Sequence, residues 1–251
     1  MGLKITALPQ GYVRGVPGTG VTLQRNADRT FDLAMMMFAI TGGDHVVMVD
    51  TGTSDPAFVR EQHGYAKFER PAEHEPLRVL AAAGIDPADV GTIIYTHLHW
   101  DHCSNPELFP NARFIVQRDE LAFAMDPVPI FRKAYQRTAT AQPPILSVLG
   151  RVETITGRVE ILPGITAVPL PGHTPGSQGV LVETDAGRFL LAGDCIDRYE
   201  NWEGDATVDH LPSGSFINLI DFFDSFKTIE SLDCEVIPGH DPRVLERRVF
   251  G

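Results

Sequence analysis

The segment Thr96-His97-Leu98-His99-Trp100-Asp101-His102 limits what this chain can fold into more than any other. It sets four candidate metal ligands within six positions, directly after a short β-type run over 92–96. In extended backbone, residues i and i+2 face the same side, so His97 and His99 can reach one ion. Asp101 and His102, past the strand end, point elsewhere and can serve a second ion close by. Three histidines and an aspartate together are poorly explained as ordinary core residues, because burying them unpaired is costly.

Three more candidates sit in turns after apolar runs: His173 in Pro171-Gly172-His173-Thr174-Pro175-Gly176, Asp194 in Leu191-Ala192-Gly193-Asp194, and His240 in Ile237-Pro238-Gly239-His240-Asp241. A Gly-His or Gly-Asp pair alone is usually just a turn. Several strand-terminal loops that all carry ligand-type side chains point instead to the active-site edge of a layered α/β fold. Imidazole and carboxylate suit Zn²⁺, and three or four protein ligands per ion leave room for water. Asp50, in Val49-Asp50-Thr51-Gly52, is placed either to accept a hydrogen bond from a ligating imidazole or to make an ordinary turn. Cys103 and Cys195 each follow a candidate ligand. Thiolate binds zinc, but free cysteine is more commonly a small buried hydrophobe, and packing is the preferred reading for both.

The surrounding pattern agrees with a layered fold. Apolar runs over 33–40 and 46–49, separated by Thr41-Gly42-Gly43-Asp44, read as a hairpin. Further strands are expected at 92–96, 113–116, 152–155, 159–162, 165–168, 179–183, 189–191 and 236–237. The first core strand is expected at Leu33, after a long N-terminal segment through 14–30. Helices are expected over 75–83, with Pro76 in the first turn and Gly84 as its stop, and over 216–232, with Ser213 or Ser215 as cap and a Phe222/Phe223/Phe226 stripe for core packing. The Pro-rich stretch 126–144 reads as a mobile segment or lid. No repeat, low-complexity tract or long linker divides the chain, so residues 1–251 are expected to form one domain of stacked sheets covered by helices.

His97-x-His99-x-Asp101-His102, followed in order by His173, Asp194 and His240, resembles the metallo-β-lactamase superfamily, as does the early Val49-Asp50-Thr51-Gly52 turn. The likeness runs from about Leu33 to Asp241. It implies an αββα sandwich with a dinuclear site at its edge, usually zinc, although other divalent metals fit the same donors. One ion would be held by His97, His99 and His173, the other by Asp101, His102 and His240, with Asp194 bridging and Asp50 buttressing. Within the superfamily the layout is similar to N-acyl homoserine lactonases, on the His-Leu-His-Trp-Asp-His motif, Val116-Gln117-Arg118-Asp119-Glu120 and Glu200-Asn201-Trp202-Glu203. The implied reaction is opening of a lactone ring by a dizinc-bridging hydroxide, with Asp101 or a neighbouring carboxylate relaying a proton to the leaving alkoxide. Trp100 and Met35–Met37 are candidate pocket walls, with core packing preferred for the methionines. Two departures stand out. Cys103-Ser104-Asn105 replaces the usual Ala-Gly-Gly, and Asp197 occupies the position of a tyrosine that normally helps hold the substrate carbonyl, with Tyr199 two residues on as its candidate replacement. The alternatives are another hydrolase of this scaffold, acting on a β-lactam, thioester or organophosphate ester, and a metalloprotein without hydrolytic activity.

Charge and composition narrow the partners. The 21 Lys and Arg against 33 Asp and Glu leave a net charge of −12, and no basic track leads towards the motif. Nucleic acid and anionic membranes are therefore not expected partners. A small-molecule substrate is, and a homodimer is suggested only by analogy with the lactonases. The longest apolar run, 33–40, is too short to span a bilayer. Met1 to Thr6 satisfies a loose myristoylation pattern, a coincidence of one glycine and one threonine with no polybasic stretch nearby. Three cysteines imply no disulfide framework and favour a cytoplasmic setting.

Overall fold

The computed structural model describes residues 2–64 and 66–251. Met1, the first residue of the myristoylation pattern, lies outside them. Thirteen strands are formed among the described residues: β1 (Lys4–Pro17), β2 (Thr30–Thr41), β3 (Val46–Val49), β4 (Phe68–Glu69), β5 (Val90–Ile94), β6 (Arg113–Gln117), β7 (Val152–Ile155), β8 (Val159–Leu162), β9 (Ile165–Pro169), β10 (Gln178–Thr184), β11 (Gly187–Leu191), β12 (Glu235–Ile237) and β13 (Val249–Phe250). The helices are α1 (Gly18–Val21), α2 (Pro56–Gln62), α3 (Pro76–Ala82), α4 (Arg118–Met125), α5 (Tyr199–Glu203), α6 (Leu219–Glu230) and α7 (Pro242–Arg247). None of them is long and apolar enough to cross a membrane.

The strands make two sheets, ordered β13-β1-β2-β3-β5-β6-β7, with β4 on β1, and β12-β11-β10-β9-β8. Alternation along β2 shows how the layers form. Met36, Phe38 and Ile40 face the second sheet and join Ile165, Val180, Val182 and Leu191 in the central core. Met37 and Ala39 face the other way, against Val79 and Leu80 of α3 and Ala124 of α4. On the far side of the second sheet, Phe222, Phe226 and Ile229 of α6 cover Val168, Leu181 and Leu190. The result is an αββα sandwich.

Strand direction then determines where the loops meet. β3, β5, β6 and β7 are mutually parallel. β9 and β11 both run antiparallel to β10, hence parallel to each other, and β12 runs parallel to β11. The turns after β3, β5, β9, β11 and β12 carry Asp50, the histidine motif, His173, Asp194 and His240, and the structure gathers them at one edge.

Several elements differ from expectation. The N-terminal segment is not a lead-in to the core: β1 is a 14-residue strand paired with β2 along most of its length. Pro9 and Gly11, at a register shift, break the period-2 pattern that marks a strand, which hid it. The 216–232 helix begins only at Leu219, capped by the Asn218 side chain and not by Ser213 or Ser215. Within the 126–144 stretch Tyr135 and Gln136 are buried and Trp100 N–H donates to Ala134 O at 2.8 Å, while Val128 and Ile130 are exposed.

α2 is followed by His63, whose buried ring stacks on Trp100 at 4.6 Å between centroids, while Phe68 of β4 meets the same indole edge-on. Burial holds the His63 imidazole down to about 4, from an ordinary 6.5. The unfolded chain therefore binds the extra proton, and the stability this neutral ring supports is complete above its unfolded pKa and is lost as pH falls towards its folded one. Unfolding free energies measured between about pH 7 and about pH 4.5 should show His63→Phe losing ~2 kcal/mol less than the wild type over that interval.

Candidate metal centre and substrate cavity

Local backbone geometry sets each side chain at the edge. Gly193 has φ +53° and a Cβ there would lie 2.8 Å from Thr96, so glycine is needed for Asp194 to leave β11 in its turn. Gly172 (φ +137°) has the same role before His173, against the backbone of Phe222. Asp50 itself sits at φ +61°, a conformation that aspartate tolerates better than most residues.

The seven predicted ligand residues come together as two adjoining groups. Atoms of His97, His99, His173 and Asp194 lie within 4.8 Å of one another, and so do those of Asp101, His102 and His240. Asp194 faces both groups. Its Oδ2 is 3.3 Å from His173 Nε2 and 3.8 Å from His97 Nε2, and its Oδ1 is 3.0 Å from the Nε2 atoms of both His102 and His240. Asp101 Oδ2 stands 4.0 Å from those same two nitrogens.

The outer nitrogens are held by acceptors that orient each ring inward. His102 Nδ1 is 2.8 Å from Asp50 Oδ2, His173 Nδ1 is 2.8 Å from Ser215 O, and His240 Nδ1 is 3.0 Å from Ala34 O. His97 Nδ1 lies 3.2 Å from Thr96 Oγ1, which donates to Asp50 Oδ2. Asp50 Oδ1 also accepts from Thr96 N–H at 2.8 Å. Asp50 thus ties the β3 turn to the histidine motif, and the buttressing geometry expected of it is present.

The inner nitrogens are left facing each other. His102 Nε2 and His240 Nε2 are 3.2 Å apart, and His173 Nε2 and His99 Nδ1 are 3.0 Å apart. His97 Nε2 and His99 Nε2 are buried and have no hydrogen-bond partner. Imidazole and carboxylate atoms that converge in this way are the geometry of cation coordination, and the donor set fits two divalent ions. Electrostatics agrees. Burial, followed by neighbouring imidazoles, pushes His97 and His99 well below the usual histidine range, so both are neutral ligands in waiting. Burial also disfavours charge on His102 and His240, but Asp194 and its neighbouring carboxylates outweigh it, lifting His102 far up and His240 to about 9. The second group therefore calls for positive charge.

A cavity of about 290 Å³ opens over this edge. Val13, Val16, Leu33, Met35, Ala66 and Trp100 form its apolar wall, whereas Asp101, Asp197, Ser213 and Ser215 lie on its polar side. Of the expected methionines only Met35 lines it, because Met36 and Met37 point into the two cores on either side of β2. Tyr199 is not brought to the cavity. It opens α5 with its ring beneath the Arg243 guanidinium at 4.6 Å and packs against the central core. Asp197 lines the cavity instead, its carboxyl pushed up to about 7 by burial and by Asp194. Cys103 and Cys195 are packed, as preferred: the Cys103 thiol donates to Leu98 O, and Cys195 sits beneath α6.

Residues 35–240 match the model of the metallo-beta-lactamase superfamily. The chain belongs to the metallo-β-lactamase superfamily. This superfamily member is 30% identical over 182 residues to an N-acyl homoserine lactonase from a Bacillus species, covering 69% of this chain and 68% of the relative. It is 32% identical over 171 residues to an N-acyl homoserine lactonase of Azorhizobium caulinodans, covering 65% and 62%. Its fold is that of a solved N-acyl homoserine lactone hydrolase with the product N-hexanoyl-L-homoserine bound at its catalytic metal center, with a TM-score of 0.78, 23% identity, and 97% and 95% of the two chains covered.

Glu120 is the supporting residue that the motif alone does not reveal. Fully buried at the start of α4, it accepts through Oε1 from Leu98 N–H at 2.9 Å and from Tyr135 hydroxyl at 2.9 Å, and through Oε2 from Thr174 hydroxyl at 2.5 Å. Leu98 lies between His97 and His99, Thr174 follows His173, and the Tyr135 ring meets His99 edge-on at 4.6 Å. One carboxyl therefore links both loops of the first group. Glu120→Ala should destabilise the fold by ~3 kcal/mol by leaving buried donors unpaired. Zinc titration calorimetry should show it losing affinity at one of two sites, with Glu120→Gln retaining more of both properties.

Proposed function

We propose that this protein is a lactone hydrolase that works with two divalent cations, taken to be zinc. The observation that carries the reading is Asp194 facing two groups of converging ligand-type atoms at the floor of a cavity with an apolar wall. The lactonase relatives supply the substrate class. His97, His99 and His173 would hold one cation, Asp101, His102 and His240 the other, and Asp194 both. Bound there, the pair supplies Lewis acidity for the substrate carbonyl and a water-derived nucleophile near neutral pH.

The remaining chemistry belongs to the chain. Asp50, Ser215 O and Ala34 O fix the rings, so that little reorganisation accompanies reaction. Trp100, Met35 and Leu33 exclude water and receive the apolar part of the substrate. Asp101, on the cavity side of the second group, takes the proton released as water attacks the carbonyl carbon. It returns that proton to the alkoxide oxygen when the ring C–O bond breaks, giving a hydroxy acid. The reading takes residues 1–251 as one catalytic unit in the cytoplasm, a setting supported by three free cysteines, with a homodimer as its assembly by analogy with lactonases.

The test is acid release from a panel containing γ-lactones of several acyl lengths, a β-lactam, a thioester and a phosphotriester. The zinc-loaded protein should open lactones fastest, chelation should abolish the activity, and Asp194→Asn should lower lactone kcat/KM by at least ~100-fold. Zinc-loaded protein that leaves every lactone intact would sink the proposal.

A further inference from the structure

The 126–144 stretch sorts its side chains into two sets. Phe131 and Tyr135 pair with the His99 ring at 6.4 and 4.6 Å between centroids, Ala134 lines the substrate cavity, and Gln136 is buried. Val128, Ile130, Arg132, Lys133 and Arg137 are exposed. Ile130, at 85%, is the most exposed large apolar side chain among the described residues. Backbone hydrogen bonds from Phe131 N–H to Val128 O at 2.9 Å and from Arg137 N–H to Arg132 O at 2.7 Å close the segment into tight turns, which keeps the exposed set together. None of its three cations pairs with a carboxylate among the described residues; Arg137 Nε donates to Met125 O at 3.2 Å. Arg132 and Arg137 share an open cavity of about 510 Å³ with Met125, Asp126 and Thr138. Asp126 is the single acid in 126–144, so the stretch carries +2. The other residues hold 18 Lys and Arg against 32 Asp and Glu, a charge of −14.

We infer that this patch docks the protein on an anionic lipid surface, with Ile130 and Val128 entering the acyl boundary and Arg132, Lys133 and Arg137 meeting lipid phosphates. Neither signal suffices alone, but an apolar anchor beside clustered cations gives reversible interfacial binding. A lipid surface fits better than a protein partner. Two projecting apolar side chains are far short of the ~800 Å² per partner of a stable protein interface, whereas a fluid bilayer moulds itself around isolated anchors. The expectation that anionic membranes are not partners rested on the total charge, which averages over a surface of uneven sign. At physiological salt, charges more than ~8 Å from the lipid are largely screened, so the groups against it decide the outcome. Lys67, an exposed residue that lines the cavity, is a further cation without a carboxylate partner among the described residues. The consequence for function rests on the lactone-hydrolase reading. Lactones with long acyl chains concentrate in bilayers, and because Ala134 of this segment lines the cavity, docking brings the apolar wall of Val13, Leu33 and Trp100 close to that pool.

The test is co-sedimentation of the zinc-loaded full chain with vesicles of phosphatidylcholine, with and without phosphatidylglycerol. Binding should be at least ~10-fold stronger on the anionic vesicles and should fall as salt is raised. A variant combining Arg132→Gln, Lys133→Gln and Arg137→Gln should lose at least ~10-fold of that binding, and Ile130→Ser alone at least ~3-fold. Near-ultraviolet circular dichroism like that of the wild type shows that both variants are folded, and their rates on a short, water-soluble lactone should be unchanged. A long-chain lactone carried in anionic vesicles should be opened faster by the wild type than by either variant. Equal binding to both vesicle types, no binding to either, or binding that survives the triple substitution would overturn the inference. So would retention on polyglutamate that needs the three cations but not Ile130, with no vesicle binding, which would give the patch to an acidic protein. Vesicle binding is read without turnover, so a failed lactone panel removes the lactonase reading and leaves the docking result to be judged separately.

Discussion

The structure depends on the concentration of seven ionisable groups in a pocket from which water is largely excluded. Five imidazoles and two carboxylates at the ends of strands from both sheets cannot all be satisfied by one another. Their inner atoms lie about 3 Å apart. That arrangement is stable only if something positive sits between them, and Asp194, with one oxygen towards each group, defines where. Asp50, Glu120 and the carbonyls behind the rings hold the side chains in an arrangement they would not adopt unaided.

This requirement explains the architecture around it. Parallel strands are needed in both layers because only strands running the same way end at the same edge, and β3, β5, β9, β11 and β12 do so. Alternation along β2 sends successive methionines to opposite cores, so one strand knits two layers together. Glycines at 172 and 193 let the chain turn sharply enough to aim a histidine and an aspartate back over the sheet ends.

The candidate ligand set was legible in the sequence because its chemistry is dense and its spacing regular: His97 and His99 at i and i+2, and ligand-type residues in glycine-led turns. The strands of the central layers were legible for the same kind of reason, as unbroken apolar runs. β1 was not, because Pro9 and Gly11 mimic a turn and only pairing with β2 overrides them. Tyr199 was the candidate replacement for the lactonase tyrosine by resemblance, but its ring lies against Arg243 and Asp197 lines the cavity instead. The role of Glu120 was hidden because its partners, Leu98, Tyr135 and Thr174, are remote in sequence and carry no pattern of their own.

The cavity wall and the ligands come from different parts of the chain. The apolar lining is taken largely from β1 and β2 and from the α2–β4 region, whereas the candidate ligand atoms sit on the turns after β5, β9, β11 and β12. Changes in shape at Val13, Val16, Leu33 or Ala66 alter what fits without moving a single donor. Such a division lets descendants of one ancestral centre diverge in diet while inheriting the same reactive machinery.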